Sequence, residues 1–362
     1  MKREDQKLFS PFTINGCEVK NRFVSKVELD EGVTTFKGMF TTHTMEYYER
    51  RAEEGVGMIV TGKQSSEMYT SPQDISDYPS GAETAKYIHR LKKMVNRVHH
   101  FGTKVFADIN TRFESTLPGF LLVRRPKDTK MKPVNKVVEL NRFAEEEKTI
   151  DEYVKLATVA RIVGFDGIQV DITPIGSNLC NHNFIVESEL ASKRDIKREM
   201  HERIAFAEKV VESIKIVCGD DFPVMLNIKI DDEFIAFTQT TSGIQNYSTE
   251  GVGLEFVLQS MSELETAGFD AFNVDITASS YQLDDRNNYL LKRNLVLINK
   301  IKQRVNIPVI LEAFKEQKSL AKSVLSKGFV DAIGVEDSYM LRHDLPFANE
   351  RCSDQLSNYS IA

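Results

Sequence analysis

The stretch Gly164-Phe165-Asp166-Gly167-Ile168-Gln169-Val170-Asp171 turns on a glycine, continues as a short apolar strand and ends on a carboxylate. Two further stretches follow the same pattern, Gly268 to Thr277 and, more loosely, Gly328 to Asp337. Each comes after a helix-like run, and a helix that stops at glycine and leads into a buried strand is half of a βα unit. Recurrence of this unit along one chain predicts a parallel α/β structure.

The carboxylates that end the repeated strands indicate where the chemistry lies. Asp171, Asp275 and Glu336 stand at these strand ends. In parallel barrels the loops at the carboxyl ends of the strands carry the active site. We therefore expect the functional site at that end of the sheet.

The composition of the chain excludes several classes of protein. Its 362 residues are 41% hydrophobic and carry a net charge of −6, which leaves no excess of basic residues for binding nucleic acid. No stretch has the uninterrupted apolar length of a membrane span, and the charged N-terminus lacks the apolar run of a signal peptide. Its four cysteines lie far apart, as in free thiols of a reducing compartment. We expect a cytoplasmic protein with no membrane or nucleic-acid partner.

The order of predicted elements defines the fold class. Residues 11–20 read as a β-hairpin around Asn15-Gly16, a dipeptide that favours tight turns. Eight apolar strands then alternate with helices, starting at Phe23 and ending near residue 335. This alternation predicts a (β/α)8 TIM barrel with an N-terminal β-hairpin.

Three long stretches break the alternation and are predicted as loops over the carboxyl-terminal mouth of the barrel. They are residues 111–148, which contain three prolines, and residues 173–188 and 231–252. The helix after the first of them is expected to begin at Asp151. We predict a single domain over residues 1–348 and a C-terminal tail over 349–362.

Several framework stretches resemble the NADH:flavin oxidoreductase, or old yellow enzyme, family. The resemblance covers nearly the whole chain and implies a barrel that holds FMN at its mouth. It also implies hydride transfer from NAD(P)H to FMN and on to an activated alkene. The matching stretches are Leu8 to Gly16, Val19 to Arg22, Tyr47 to Thr61, Gly164 to Ile168, Gly219 to Val224 and Ile307 to Ile310.

The positions at which that family binds its cofactor and substrate carry other residues in this chain, except Thr61. A phosphate site needs nearby positive charge and open backbone N–H groups. Phe314 obstructs such an approach, and two acids at residues 336–337 repel a dianion. We therefore expect that FMN does not bind in the usual way. The replaced positions hold Lys26-Val27, Asp108, Asp171 and Pro174, Asn227, Ala313-Phe314 and Glu336-Asp337.

Alternation along the strands predicts a polar and mostly acidic mouth. Its inward residues are Lys26, Glu28, Asp108, Asn110, Gln169, Asp171, Asn227, Lys229, Asn273, Asp275, Glu312 and Glu336. One interpretation is an internal network in which Lys26 and Lys229 neutralise Asp108, Asp171 and Asp275. A second is a Mg²⁺ or Ca²⁺ site made by Asp171, Asp275, Glu312 or Glu336.

Two further interpretations concern catalysis. In one, Lys26 or Lys229 acts as a base or Schiff-base nucleophile of a lyase or isomerase. In the other, a flavin enzyme survives with an altered pocket. The candidate catalytic residues are Lys26, Asp108, Asp171, Lys229 and His182, and the candidate cofactor-binding residues are Thr61, Asn227, Asp275, Glu312 and Glu336. The expected partner is a small molecule at the mouth, no dedicated metal site is assigned, and a homo-oligomer is left open.

Overall fold

The structure, a computed structural model, describes residues 7–26, 41–62, 82–109, 135–171, 193–231, 237–240, 243–246, 254–277, 285–312 and 323–335. Its strands are β1 (Phe12–Ile14), β2 (Cys17–Val19), β3 (Phe23–Lys26), β4 (Met58–Val60), β5 (Lys104–Ile109), β6 (Gly167–Val170), β7 (Val224–Asp231), β8 (Phe237–Thr240), β9 (Gly243–Asn246), β10 (Ala271–Thr277), β11 (Val309–Glu312) and β12 (Ala332–Val335). Its helices are α1 (Thr42–Glu53), α2 (Ala82–His99), α3 (Asn135–Val163), α4 (Lys193–Cys218), α5 (Leu254–Ala267) and α6 (Asp285–Arg304).

Eight of these strands form a closed barrel in the order β3-β4-β5-β6-β7-β10-β11-β12, and every neighbouring pair is parallel. The predicted (β/α)8 barrel is therefore confirmed. The predicted hairpin is confirmed too, because β1 and β2 pair antiparallel around Asn15 and Gly16. Both turn residues have positive φ, 44° and 80°, which this tight turn requires.

The core has an inner and an outer part. The outer part fills the space between the barrel and its helices. The inner part is an apolar layer inside the barrel, and the hairpin packs into it from the amino-terminal end of the strands. This layer consists of Val24, Met58, Val60, Phe106, Met225, Ala271, Ile310 and Ala332, with Phe12, Ile14 and Val19 of the hairpin. The hairpin thus closes one end of the barrel and leaves the other end for the site.

The aspartate near the start of each repeated stretch joins two neighbouring strands at the amino-terminal end. Its carboxylate accepts a hydrogen bond from a backbone N–H of the adjacent strand and forms an ion pair with a lysine. The three sets are Asp166 with Val105 N (2.8 Å) and Lys104 (2.9 Å), Asp270 with Val224 N (2.7 Å) and Lys215 (2.6 Å), and Asp331 with Val309 N (2.8 Å) and Lys302 (2.8 Å). The repeat therefore encodes a strand-to-strand contact at this end as well as a polar residue at the other.

Two of the predicted loops are corrected by the structure. Helix α3 begins at Asn135, so residues 135–148 are helical although they were predicted as part of a loop. The leucine, alanine, glutamate and lysine residues that follow Pro133 are strong helix formers, and they outweigh the weak apolar periodicity. Within 231–252, strand β7 extends to Asp231, and β8 and β9 form an antiparallel pair. Their β-branched and aromatic residues favour that pairing.

The remaining boundary predictions fall outside the described residues. The predicted loop 173–188 lies within 172–192, and the tail 349–362 lies beyond residue 335. The domain limits of 1–348 stay a prediction. None of the described helices is both long enough and apolar enough to cross a bilayer.

Candidate functional site

A polar layer lies above the apolar inner layer, toward the carboxyl ends of the strands. Because side chains alternate along a strand, each inward apolar residue is followed two positions later by another inward residue. At these later positions the chain carries ionic or amide side chains, and six of the eight strands contribute one or two. The polar layer consists of Lys26, Asp108, Gln169, Asp171, Asn227, Asn273 and Glu312.

Lys26 and Glu312 form an ion pair in this layer. The Lys26 Nζ atom lies 2.9 Å from Glu312 Oε2, and the two side chains are 15% and 24% exposed. Burial alone lowers the pKa of Lys26, but the charges of Glu312, Asp108 and Asp171 outweigh it and raise the pKa. Lys26 is therefore an ammonium group at neutral pH, anchored on one carboxylate and within the field of two more.

Asn273 is the centre of the hydrogen bonds in the polar layer. Its Nδ2 atom lies 2.9 Å from Gln169 Oε1, 3.0 Å from Glu312 Oε2 and 3.4 Å from Asn227 Oδ1. These four residues come from β10, β6, β11 and β7, so one amide group links four strands of the barrel. Through Glu312 the network extends to Lys26 on β3.

Asp108 and Asp171 are buried in the same layer. The backbone N–H of Asp108 donates to the hydroxyl oxygen of Thr61 at 3.2 Å. The buried Tyr153 of α3 donates its hydroxyl to the backbone carbonyl of Asp171 at 2.7 Å. The backbone of Asp108 is therefore held by the end of the neighbouring barrel strand, and that of Asp171 by a helix outside the barrel.

Thr61 joins β4 to β5. Its backbone N–H donates to Phe106 O at 2.9 Å, besides the bond that its hydroxyl accepts from Asp108. The next residue, Gly62, donates its N–H to the hydroxyl of the fully buried Tyr48 at 2.9 Å. A role of Thr61 in cofactor binding stays a prediction.

Gly334 leaves room for the ion pair. It lies on β12, between the strands that carry Lys26 and Glu312. A Cβ atom at this position would lie 3.2 Å from Glu312 Cα and 3.5 Å from Glu312 Cγ. Gly334 stands at the place in the third repeat that Gln169 and Asn273 occupy in the other two. The sequence repeat could have identified this position.

Other predicted site residues are only partly covered by the structure. His182 and Glu336 lie outside the described residues, as do the mouth positions Glu28 and Asn110. The backbone of Lys229 is in β7, where it pairs in register with the partly exposed Asp275 of β10. The Lys229 side chain is outside the described part. The catalytic roles assigned to Lys229 and His182 stay predictions.

Among the described residues, no group of three histidine, cysteine, aspartate or glutamate side chains is arranged to hold a metal ion. The described carboxylates of the polar layer come from separate strands, and the contacts of Glu312 go to an ammonium and an amide group. The described part of the mouth thus offers no support for the Mg²⁺ or Ca²⁺ interpretation.

With this barrel and its mouth defined, the chain can be placed among known proteins. The model of the NADH:flavin oxidoreductase / NADH oxidase family matches residues 7–335, and the chain belongs to this family. This family comprises NAD(P)H:flavin oxidoreductases of the old yellow enzyme type, and FMN is the cofactor found in it.

Individual relatives are distant and longer. A cinnamate reductase of Clostridium sporogenes is 25% identical over 96% of this chain and 53% of its own length. An NADH oxidase of Thermoanaerobacter brockii is 24% identical over 91% of this chain and 48% of its own length. The chain therefore spans about half the length of these curated relatives. The structure of an old yellow enzyme homologue from Zymomonas mobilis superposes with a TM-score of 0.55 at 17% identity, covering 90% of this chain and 87% of the other. This last likeness supports the fold.

Proposed function

We propose that the mouth of this barrel binds a small polar molecule on the polar layer, and that FMN is not held there in the family's usual way. The observation that carries the proposal is the chain of contacts from Lys26 through Glu312 to Asn273, which continues to Gln169 and Asn227 and so joins five strands across the mouth. In this proposal the chain is an NADH:flavin oxidoreductase-like barrel in which the residues at the family's cofactor and substrate positions are replaced. Its expected location is cytoplasmic.

The charge of the polar layer does not fit FMN. The phosphate of FMN carries negative charge, and its binding calls for cations or free N–H groups. Among the described residues of the layer, Asp108, Asp171 and Glu312 set three carboxylates against the ammonium of Lys26. Glu312 already neutralises Lys26 at 2.9 Å. The sequence at 313–314 and 336–337, with a phenylalanine and two acids, adds to the mismatch.

The same contacts argue against Lys26 as a catalytic base or Schiff-base nucleophile. Either role requires a neutral amine, which a lysine reaches when its pKa is lowered. The pKa of Lys26 is instead raised, because the surrounding carboxylates outweigh burial. In the proposed site Lys26 acts as a permanent cation that fixes Glu312 and donates hydrogen bonds. The site is then a binding site, as in a pseudoenzyme or binding subunit.

The family's own redox chemistry is the second candidate. It is favoured by the match over residues 7–335 and by the similarity to a cinnamate reductase across nearly the whole chain. When FMN is bound in this family, it relays hydride from NAD(P)H to an activated alkene. This second candidate requires that a flavin bind at the mouth even though the polar layer carries the carboxylates of Asp108, Asp171 and Glu312.

An absorbance spectrum of the purified chain from 300 to 550 nm, repeated after incubation with excess FMN and desalting, separates the two candidates. We expect no retained flavin band. A band near one FMN per chain would contradict the proposal and support the second candidate, and NADH oxidation with enones would then be measured. Riboflavin, which lacks the phosphate, is the matched control ligand. Retention of riboflavin but not FMN would locate the obstacle at the phosphate.

A further inference from the structure

The Lys26–Glu312 ion pair fixes the orientation of the neighbouring amide groups. A carboxylate bound to an ammonium group can only accept hydrogen bonds. The part of Asn273 that lies 3.0 Å from Glu312 Oε2 must therefore be its NH₂ group. The reverse orientation of Asn273 would set its oxygen against the carboxylate oxygen.

The orientation of Asn273 in turn determines how the amides of Gln169 and Asn227 are oriented. The same NH₂ group of Asn273 lies 2.9 Å from Gln169 Oε1, so its two protons go to Glu312 and Gln169. Asn227 also turns its oxygen toward this group, in a longer contact of 3.4 Å. Their own NH₂ groups are consequently turned away from Asn273. The ion pair thus sets the orientation of three side-chain amides, and with it which of their atoms face other groups.

In the part of the chain that the structure describes, the two NH₂ groups that remain are buried donors without an acceptor. Gln169 is 0% and Asn227 2% exposed, and neither Gln169 Nε2 nor Asn227 Nδ2 has a hydrogen-bond partner in the described part of the chain. A buried donor that lacks an acceptor is costly, and native proteins seldom keep one without a reason. Both lie in the polar layer, on the adjacent strands β6 and β7, where the oxygen of a ligand would supply the missing acceptor.

We infer that Gln169 and Asn227 donate to the carbonyl oxygen of an uncharged ligand, a carboxamide or a related neutral carbonyl compound. The inference rests on the proposed function, since it names the class of molecule that the flavin-free mouth takes. The ligand is inferred to be uncharged because of the charges that surround the two amides. The carboxylates of Asp108, Asp171 and Glu312 repel an anion, and the ammonium of Lys26 already has Glu312 as its counterion.

Binding of benzamide, with benzoate as its anionic counterpart, tests the inference in the 362-residue chain. Saturation-transfer NMR titrations of wild type, Gln169→Met and Asn227→Leu give the dissociation constants. We expect benzamide to bind wild type at least about tenfold more tightly than benzoate, and each variant to weaken benzamide binding by at least about tenfold. Gln259→Met, at an exposed position of α5, is the matched control and leaves the constant unchanged.

A measurement on the wild-type chain keeps the test decisive if either variant fails to fold. With ¹⁵N-labelled glutamine and asparagine side chains, benzamide is expected to shift one glutamine and one asparagine NH₂ signal. Absence of both shifts, equal binding of benzoate, or unchanged affinity in both folded variants would overturn the inference and leave a buried water as the acceptor. These outcomes concern the ligand class alone, whereas retention of FMN in the absorbance experiment removes the proposed function itself.

Discussion

Lys26 and Glu312, 286 positions apart in the chain, meet across the barrel mouth with Nζ and Oε2 2.9 Å apart. The strands that carry them are separated by β12, so the contact reaches over one whole strand of the barrel. It is made over Gly334, which has no side chain in the way. The ion pair therefore depends on barrel closure, on register and on one glycine.

This pair should be energetically coupled, which a double-mutant cycle of Lys26→Met and Glu312→Gln measures. Both groups are largely removed from water, so we expect a coupling free energy of about 0.5–3 kcal/mol from urea unfolding at neutral pH. The exposed pair Arg161 and Asp221, with side chains 42% and 79% exposed, is the control. Its coupling should be smaller than that of Lys26 and Glu312, at about 0.2–1 kcal/mol. Equal coupling in the two pairs would mean that water fills the mouth around Lys26.

Asn273→Asp should destabilise the protein strongly. The substitution replaces an NH₂ donor by an oxygen that faces Glu312 Oε2 and Gln169 Oε1, now 3.0 Å and 2.9 Å from Asn273 Nδ2. We expect a loss of about 1–3 kcal/mol or more in the free energy of unfolding. Asn96→Asp, at an exposed position of α2, is the control and should stay within about 0.5 kcal/mol of wild type. A small effect at Asn273 would show that the amides do not have the orientation described.

The barrel and the membership of its polar layer could be predicted from the sequence because both follow from local periodicity. A glycine after each helix and an inward residue at every second strand position are visible in one chain. The partners within the layer could not be predicted in the same way. One interpretation of the sequence has Lys26 and Lys229 neutralise Asp108, Asp171 and Asp275, whereas the ion pair of Lys26 in the structure is with Glu312. Which carboxylate lies closest depends on strand order and register, which are tertiary properties.

The repeated aspartates illustrate the same limit at the other end of the barrel. The sequence predicts a functional role for the carboxylates that end the strands, such as Asp171. Asp166, Asp270 and Asp331, at the start of the same stretches, received no role because their partners lie on neighbouring strands. A tight repeat of three acids after glycine and phenylalanine was a signal that could have suggested a common structural contact.

Tyr48→Phe should cost more stability than the neighbouring Tyr47→Phe. The hydroxyl of the fully buried Tyr48 accepts the N–H of Gly62, at the end of β4, at 2.9 Å. Removing the hydroxyl takes away this buried hydrogen bond, which we expect to lower the free energy of unfolding by about 1–3 kcal/mol in thermal or urea unfolding. Tyr47 is partly exposed, and its hydroxyl accepts from Arg51, so its removal should cost no more than about 0.5 kcal/mol. Equal costs would contradict a role of Tyr48 in fixing the strand end beside the site.

Asp166→Asn and Asp270→Asn should change the pH dependence of stability in opposite directions. Burial raises the pKa of Asp166, but hydrogen bonds from His99, Val105 N–H and Lys104 outweigh it and leave the pKa below its usual value. Burial also raises the pKa of Asp270, and there it prevails over the bonds from Lys215 and Val224 N–H. The two residues hold equivalent places in the repeat, so each serves as the matched control of the other.

The signs follow from proton linkage. A lowered pKa in the folded state means that Asp166 stabilises the fold above the unfolded pKa of 3.8 and loses this contribution as the pH falls through the folded value. A raised pKa means that the contribution of Asp270 is present below 3.8 and is lost as the pH rises through its folded value. Urea unfolding between about pH 3 and 7 measures both. The excess stability of wild type over Asp166→Asn should grow with pH up to about 5, while its excess over Asp270→Asn should shrink. If both differences grow with pH, the ion pair of Asp270 with Lys215 outweighs its burial.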